Sequence, residues 1–329
     1  MPDKKSLPKE RYVRQRKARE LRRSIAAITP ENSQPQKQSP LFSILPAEIR
    51  LLIFQNVLSQ QLDLYRRIDI HSISPLYRPG HTYRTTVDIV LLLTCRLIYF
   101  EAHDIPLRSA THHFRYLGST SWLYNGDVWL HHITKQRGAE LYHLHDNLVA
   151  LRSHNFSKFL LPHLHWRRIT WTVCAYLLPP LLAGQKELDS LVSTLAGLSI
   201  PWSCREVTLE LETREDLRDD QPSFSVQANA CREIALTRSK GTKLDFDEKY
   251  SAQYKWVGSW QARWGTSETA LAENTMLYCT TRLCWREKVA RREYMSYDYL
   301  DCLRLEGCAQ VVKVLPMENG SQIFKELAD

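Results

Sequence analysis

All twelve histidines of this 329-residue chain lie between His71 and His165, and two of their spacings suit metal chemistry. His143-x-His145 and His163-x-His165 each place imidazoles two residues apart, and on a strand such residues project from one face and can share an ion. The pairs His112/His113 and His131/His132 lie in the same stretch, but no third ligand is fixed by spacing and no nearby Cys or carboxylate completes a recognisable pattern. The histidines therefore read as surface and partly buried structural residues, and no metal ligand is assigned.

The cysteines lead to a similar conclusion. Cys279-x4-Cys284 and Cys302-x5-Cys308 approach zinc spacing, but structural zinc pairs sit closer together, on turns. These cysteines lie in helix-forming runs beside Tyr278, Trp285 and Leu303, where a thiol acts as a small apolar group. Trp256, Trp260 and Trp264 recur every four residues near Lys255, Arg263, Arg282, Arg286, Arg291 and Arg292. Aromatic residues interleaved with bases can stack on single-stranded nucleic acid. A helical aromatic stripe is more often core, and the acidic neighbours Glu273, Glu287, Glu293 and Asp298 weaken the field. The chain lacks a nucleophile elbow, a phosphate loop, a dinucleotide fingerprint and H-E-x-x-H. No catalytic residue and no cofactor are assigned.

The elements that must position these residues begin after a basic tail. Residues 1–23 hold ten Lys/Arg against three acidic residues, a balance of +7 out of the chain's net +8, so the remainder is near neutral. Together with "TPENSQPQKQSP", residues 1–40 read as a disordered tail and linker. Arg14, Arg16, Lys17, Arg19, Arg22 and Arg23 are nuclear-localisation candidates, and a weak nucleic-acid arm is the other use of such a run. The charged N-terminus does not read as a signal peptide. The longest uncharged apolar run, "TVCAYLLPPLLAG" at 172–184, is too short to span a bilayer. Eight scattered cysteines suggest reduced thiols. A nuclear or cytoplasmic location with no membrane partner fits these features.

"LFSILPAEIRLLIFQNVLSQ" at 41–60 opens the ordered part. Pro46 suits a first helical position, and Glu48 favours the positive helix start. Ile49, Ile53 and Val57 form one stripe and Leu51, Phe54 and Leu58 an adjoining one. Together they exceed the roughly 100° that a one-sided helix buries. One stripe can dock on the protein itself and leave the other for a partner.

"LDLYRRIDI" (62–70) and "TYRTTVDIV" (82–90) alternate with period two around a Pro/Gly loop, which predicts a β-hairpin. "LLLTCRLIYFEAHDIP" places Leu91, Cys95, Ile98 and Ala102 on one helical stripe, stopped at Pro106. Strands are then expected at 112–117 and 167–174, an ambiguous one at 139–146, and a mostly helical "SWLYNGDVWLHHITKQRG" between. A helix over 181–198 and a strand at 205–213 complete a strand–helix–strand unit, which argues for parallel pairing. From about residue 225 the pattern reads as helical, with "AQVVKVLP" as a last strand.

The segment "LPAEIRLLIFQNVL" resembles the start of an F-box. With "LLLTCRLIYFEA" at 91–102 and "HHFRY" in a strand position, the chain resembles a fungal family of F-box-like proteins of unknown function. The motifs cover roughly 41–117, and the body to about 215 agrees in general pattern. The resemblance implies a docking site for a Skp1-type adaptor of a cullin ubiquitin ligase, with Leu45, Pro46, Ile49, Ile53 and Val57 as contact residues. It also shows a departure: about thirty residues separate Leu58 from Leu91, where F-box helices normally follow closely.

The resulting expectation is an α+β chain. It has a basic tail at 1–40, an F-box-like segment with an inserted hairpin at 41–110, and a mixed α/β body at 111–329 with some β-α-β units and a helical C-terminal third. The leading function is a non-enzymatic interaction module that joins an adaptor to an unidentified protein target, and nucleic acid is disfavoured as a partner. The alternative is an F-box-derived fold without adaptor binding, acting as an intracellular enzyme or nucleic-acid-binding protein.

Overall fold

Residues 41–60, which read as a turn followed by one helix, hold the end of a single helical turn and then a longer helix. The computed structural model describes residues 7–67, 83–115, 135–148, 156–174, 185–215, 223–259, 275–287 and 311–315. The chain divides into two compact units, Met1–Gln60 with Val87–Pro106, and Gln61–Thr86 with Leu107–Asp329.

The first unit opens with helix α1, Leu7–Ala26, in the segment that composition marks as disordered. The residues there are mostly strong helix formers (Arg, Lys, Glu, Ala, Leu), with an exposed Arg16–Glu20 pair at i, i+4. Beyond it, Asn32 accepts from the Thr29 N–H and donates to the Ala27 carbonyl, which fixes the turn that leaves the helix. Helix α2 is Pro40–Ser43 and α3 is Ala47–Leu58. Pro46 is the N-cap of α3, one position earlier than expected, with extended ψ of 155°. Its carbonyl accepts the Arg50 N–H, so it still begins the helix. "LLLTCRLIYFEAHDIP" is broken into three pieces: a 3-10 turn Val90–Leu93, helix α4 Arg96–Ala102 and helix α5 Ile105–Ser109. Cys95 interrupts the run because its backbone is extended and its Sγ accepts the Ile98 N–H as an N-cap. Pro106 sits in the first turn of α5, where a missing N–H costs nothing, so it starts a helix instead of stopping one. Phe54, Leu58, Ile98, Ala102 and Ile105 form the core of this unit, with Leu91, Leu92 and Cys95 packed against it.

In the second unit, β1 Gln61–Arg67 and β2 Tyr83–Thr86 pair antiparallel, which is the expected hairpin. Strands β3 Thr111–Arg115, β4 His143–Leu148, β5 Arg168–Cys174 and β6 Glu206–Arg214 are successive parallel neighbours. A short helix α6, Lys135–Gly138, precedes β4, and helix α7, Gln185–Ala196, makes the crossover from β5 to β6. Gly138 is required where it stands, because a Cβ there would collide with the His163 carbonyl. The carbonyl of Gly138 in turn accepts the His165 N–H ahead of β5.

Helix α8, Ser223–Arg232, follows. The expectation of a helical C-terminal third then fails over the described residues, which are strands: β7 Leu236–Thr237, β8 Lys243–Phe246, β9 Ala252–Ser259, β10 Thr275–Arg286 and β11 Val311–Leu315. The sheet runs β11-β9-β10-β6-β5-β4-β3, with β8 also on β10 and β7 on β8. The strand at 311–315 agrees with the sequence reading. A four-residue tryptophan repeat fits period 2 as well as 3.6, so it cannot distinguish the two structures. The β-favouring Tyr254 and Trp256 decide for strand. Leu283, Cys284 and Trp285 are all fully buried, so that end of β10 shows no alternation to read. The structure is a mixed α+β fold with a largely β core. Trp260, Trp264, Cys302, Cys308, His131, His132 and most of "SWLYNGDVWLHHITKQRG" lie outside the described residues.

The pleat gives the sheet two unlike faces. One carries Leu144, Ile169, Val207 and Trp285 in one cross-strand row and Trp171, Leu209 and Leu283 in the next, packed with Leu191 and Leu195 of α7 and Ala228 and Cys231 of α8. The other face is polar.

Candidate functional site

Helix α3 is apolar around most of its circumference, and the first unit covers only one side of it. Phe54 and Leu58, four residues apart, are 1% and 0% exposed, while Ile49, Ile53 and Val57 remain 43%, 36% and 40% exposed. Leu51 and Leu52 are also exposed, so Leu51 is not buried with Phe54 and Leu58, the two residues it shares a stripe with in sequence. Leu45 is half-buried and Pro46 exposed. Of the fifteen exposed large apolar side chains among the described residues, twelve belong to this unit, whose buried core is five residues.

The orientation of α3 is held by a pair that sequence reading did not single out. Arg50 lies one turn before Phe54 on the buried side and meets Glu101 of α4 with both ends of its fork, Nε to Oε2 at 3.0 Å and Nη2 to Oε1 at 2.8 Å. Its Nη1 also donates to the Leu45 carbonyl at 2.9 Å, and its guanidinium lies 5.2 Å from the Phe42 ring centroid. Hydrogen bonding to Glu101 raises the Arg50 pKa above its ordinary value, against the effect of burial. Both residues stand inside the two motif segments, "LPAEIR" and "LLLTCRLIYFEA". One guanidinium thus ties α2, the entry to α3 and α4 together, on the same side as the Phe54/Leu58 core.

Of the localisation candidates, Arg16, Lys17, Arg19 and Arg23 are exposed on α1. Among the described residues no helix is long and apolar enough to cross a membrane.

The second concentration of chemistry is the polar face of the large sheet, and it too was legible only in part. Register aligns Arg168, Glu206 and Arg286 in one row, Thr170, Thr208 and Cys284 in the next, and Thr172, Glu210 and Arg282 in a third. Nearly all of these are buried, Glu210 to 4%, Arg282 to 3%, and Thr172 and Thr208 to 0% exposed. Buried polar groups persist only where they satisfy one another. Glu206 bridges Arg168 and Arg286. Thr172 donates to Glu210 at 2.8 Å, so its oxygen accepts from His145 Nε2–H at 3.0 Å, which fixes the tautomer of that imidazole. His143 is held at both nitrogens, by Thr111 at 3.0 Å and Thr170 at 2.9 Å. Burial, with Arg168 nearby, holds His143 well below the usual imidazole range, so it is neutral. Burial opposes the charge on Arg282, but Glu210, Cys284 and Glu206 together outweigh it and the pKa rises.

In these rows Arg168, Arg282 and Arg286 stand beside Glu206 and Glu210. His143-x-His145 does place both rings on one face, 6.1 Å apart and parallel, but their bonds go to threonines. Among the described residues no three His, Cys, Asp or Glu groups are disposed to hold a metal. His165 lies outside the strands, edge-on to Trp202. Cys279 and Cys284 are five apart on β10 and so face opposite ways. Burial pushes the Cys284 thiol up to about 12, which leaves it a poor nucleophile. Trp256 is buried, stacked on Tyr278 and donating to Thr280, as a core residue would be.

The sequence matches no known family model and no curated protein.

Proposed function

We propose that residues 41–110 act as an F-box-like docking module whose exposed side of α3 binds a Skp1-type adaptor of a cullin ubiquitin ligase, with the sheet-bearing body engaging a protein target. The observation that carries this reading is the division of α3. Phe54 and Leu58 are spent on the unit's own core, while Ile49, Ile53 and Val57 stay available, the same residues that the resemblance implies for adaptor contact. The Arg50–Glu101 clamp supports it further, since two motif positions are accounted for by a fixed α3–α4 arrangement.

The test is co-purification of the tagged full-length chain with a Skp1-type adaptor. The wild type should recover the adaptor, and Ile49→Asp with Ile53→Asp should lose it while the protein stays folded by circular dichroism. Phe54→Ala serves as the contrast, because it should unfold the unit. A folded wild type that recovers no adaptor at micromolar concentration overturns the proposal.

A further inference from the structure

Helix α1 holds most of the chain's net charge. Its twenty residues contain six Arg and two Lys against Glu10 and Glu20, a net of +6 out of the chain's +8. Arg16, Lys17, Arg19 and Arg23 are all exposed. Arg16, Arg19 and Arg23 stand at i, i+3 and i+7 and so share one side of the helix. At 1.5 Å rise per residue they form a row about 10 Å long, with cations roughly 4.5 and 6 Å apart along the axis. Arg16 pairs with Glu20, but both side chains are more than half exposed, and such a pair exchanges readily for a stronger anion.

We infer that α1 is a binding element for the sugar–phosphate backbone of nucleic acid, reading charge and not bases. Duplex DNA offers a negative charge about every 1.7 Å of axis, so a cationic row of this length lies against several phosphates at once. Arginine predominates over lysine, and its planar fork matches phosphate oxygens bidentately. An anionic lipid surface fits less well. A helix lying on lipid needs an uninterrupted apolar side, and Leu21, 59% exposed, shares its side with Lys17 one turn before. A receptor that reads an extended basic peptide would first have to unwind the helix. The near-neutral remainder of the chain adds no competing field.

The experiment uses the full-length chain and a labelled 25-base-pair duplex DNA of arbitrary sequence, followed by fluorescence anisotropy between 50 and 200 mM NaCl. Four phosphate contacts give a log–log salt slope near −3.6, or a loss of about 150-fold across that range. Arg16→Glu/Arg19→Glu/Arg23→Glu should weaken binding more than tenfold at 100 mM salt and remove about three from the slope. Ile49→Asp/Ile53→Asp should leave both unchanged. Ala18→Pro keeps every charge but breaks the helix, and should weaken binding several-fold. No salt-dependent duplex binding, or a slope unchanged by the triple substitution, overturns the proposal. Capture by phosphatidylserine vesicles or by an import receptor without duplex binding also overturns it. Wild-type affinity in Ala18→Pro overturns the role of the helix.

Discussion

If the Arg50–Glu101 pair fixes α3 on α4, separating it should loosen the helix whose outer face is proposed to bind. The perturbation is a double-mutant cycle of Arg50→Met, Glu101→Gln and both together. The pair makes two charge-assisted hydrogen bonds, and such bonds contribute about 1.5–3 kcal/mol each when well shielded. The side chains are 14% and 24% exposed, so solvent screening reduces this, and a coupling energy of about 2 kcal/mol is expected. That corresponds to roughly a thirtyfold change in the opening equilibrium of α3, at about 1.4 kcal/mol per tenfold. Loss of the Arg50 bond to the Leu45 carbonyl enters both arms that lack Arg50, so the cycle cancels it. Native-state hydrogen exchange reads the result directly, since the amides of α3, including the Ser59 N–H on the Gln55 carbonyl, report opening of that helix alone. A coupling below about 0.3 kcal/mol, the value of an ordinary surface pair, would refute the clamp. Intact adaptor binding in Glu101→Gln despite faster exchange would separate the clamp from the proposed docking role.

Thr172→Val removes the hydroxyl that joins His145 to Glu210 and takes one hydrogen bond from a buried carboxylate, so chemical denaturation should show a loss of about 1–3 kcal/mol. Burial lowers the His112 pKa from 6.5 to about 4. The unfolded chain therefore takes up that proton first as pH falls, so the contribution of His112 is complete above pH 6.5 and declines as pH drops toward 4. His112→Asn should flatten stability measured across that window. Cys284 and Cys231 have thiols pushed up to about 12 by burial, whereas Cys95 and Cys279 are only partly buried. Iodoacetamide at pH 8, mapped by mass spectrometry, should label Cys95 and Cys279 in the native protein and reach Cys284 and Cys231 only after denaturation.

The hairpin, β5 and β6 were readable in advance because they alternate with period two, and the crossover helix α7 because its segment is rich in Leu and Ala. Val207, Leu209 and Leu211 alternate with Thr208, Glu210 and Glu212, and both faces of β6 follow from that. Strands β9 and β10 were misread because a repeat of four suits either period and because a strand buried on both faces hides its alternation. The division of α3 was only half legible. The sequence shows too much apolar surface for one face but does not say which side is docked, since that depends on where Arg50 finds Glu101, fifty-one residues away.

The sequence by itself determined that α3 is apolar beyond what packing requires, that charge gathers at the N-terminus, and that β5 and β6 each have a polar and an apolar face. Composition and period are local, and they need no knowledge of neighbours. Tertiary structure alone decided that Phe54 and Leu58 are core while Ile49, Ile53 and Val57 stay outside. It also decided that the polar face is buried, with Arg168, Glu206, Glu210 and Arg282 neutralising one another. A Thr/Glu alternation reads as a solvated face until parallel pairing sets Thr172 beside Glu210 and antiparallel pairing sets Arg282 against it. Such pairings join residues 38 and 72 positions apart, and no local pattern along the chain encodes them.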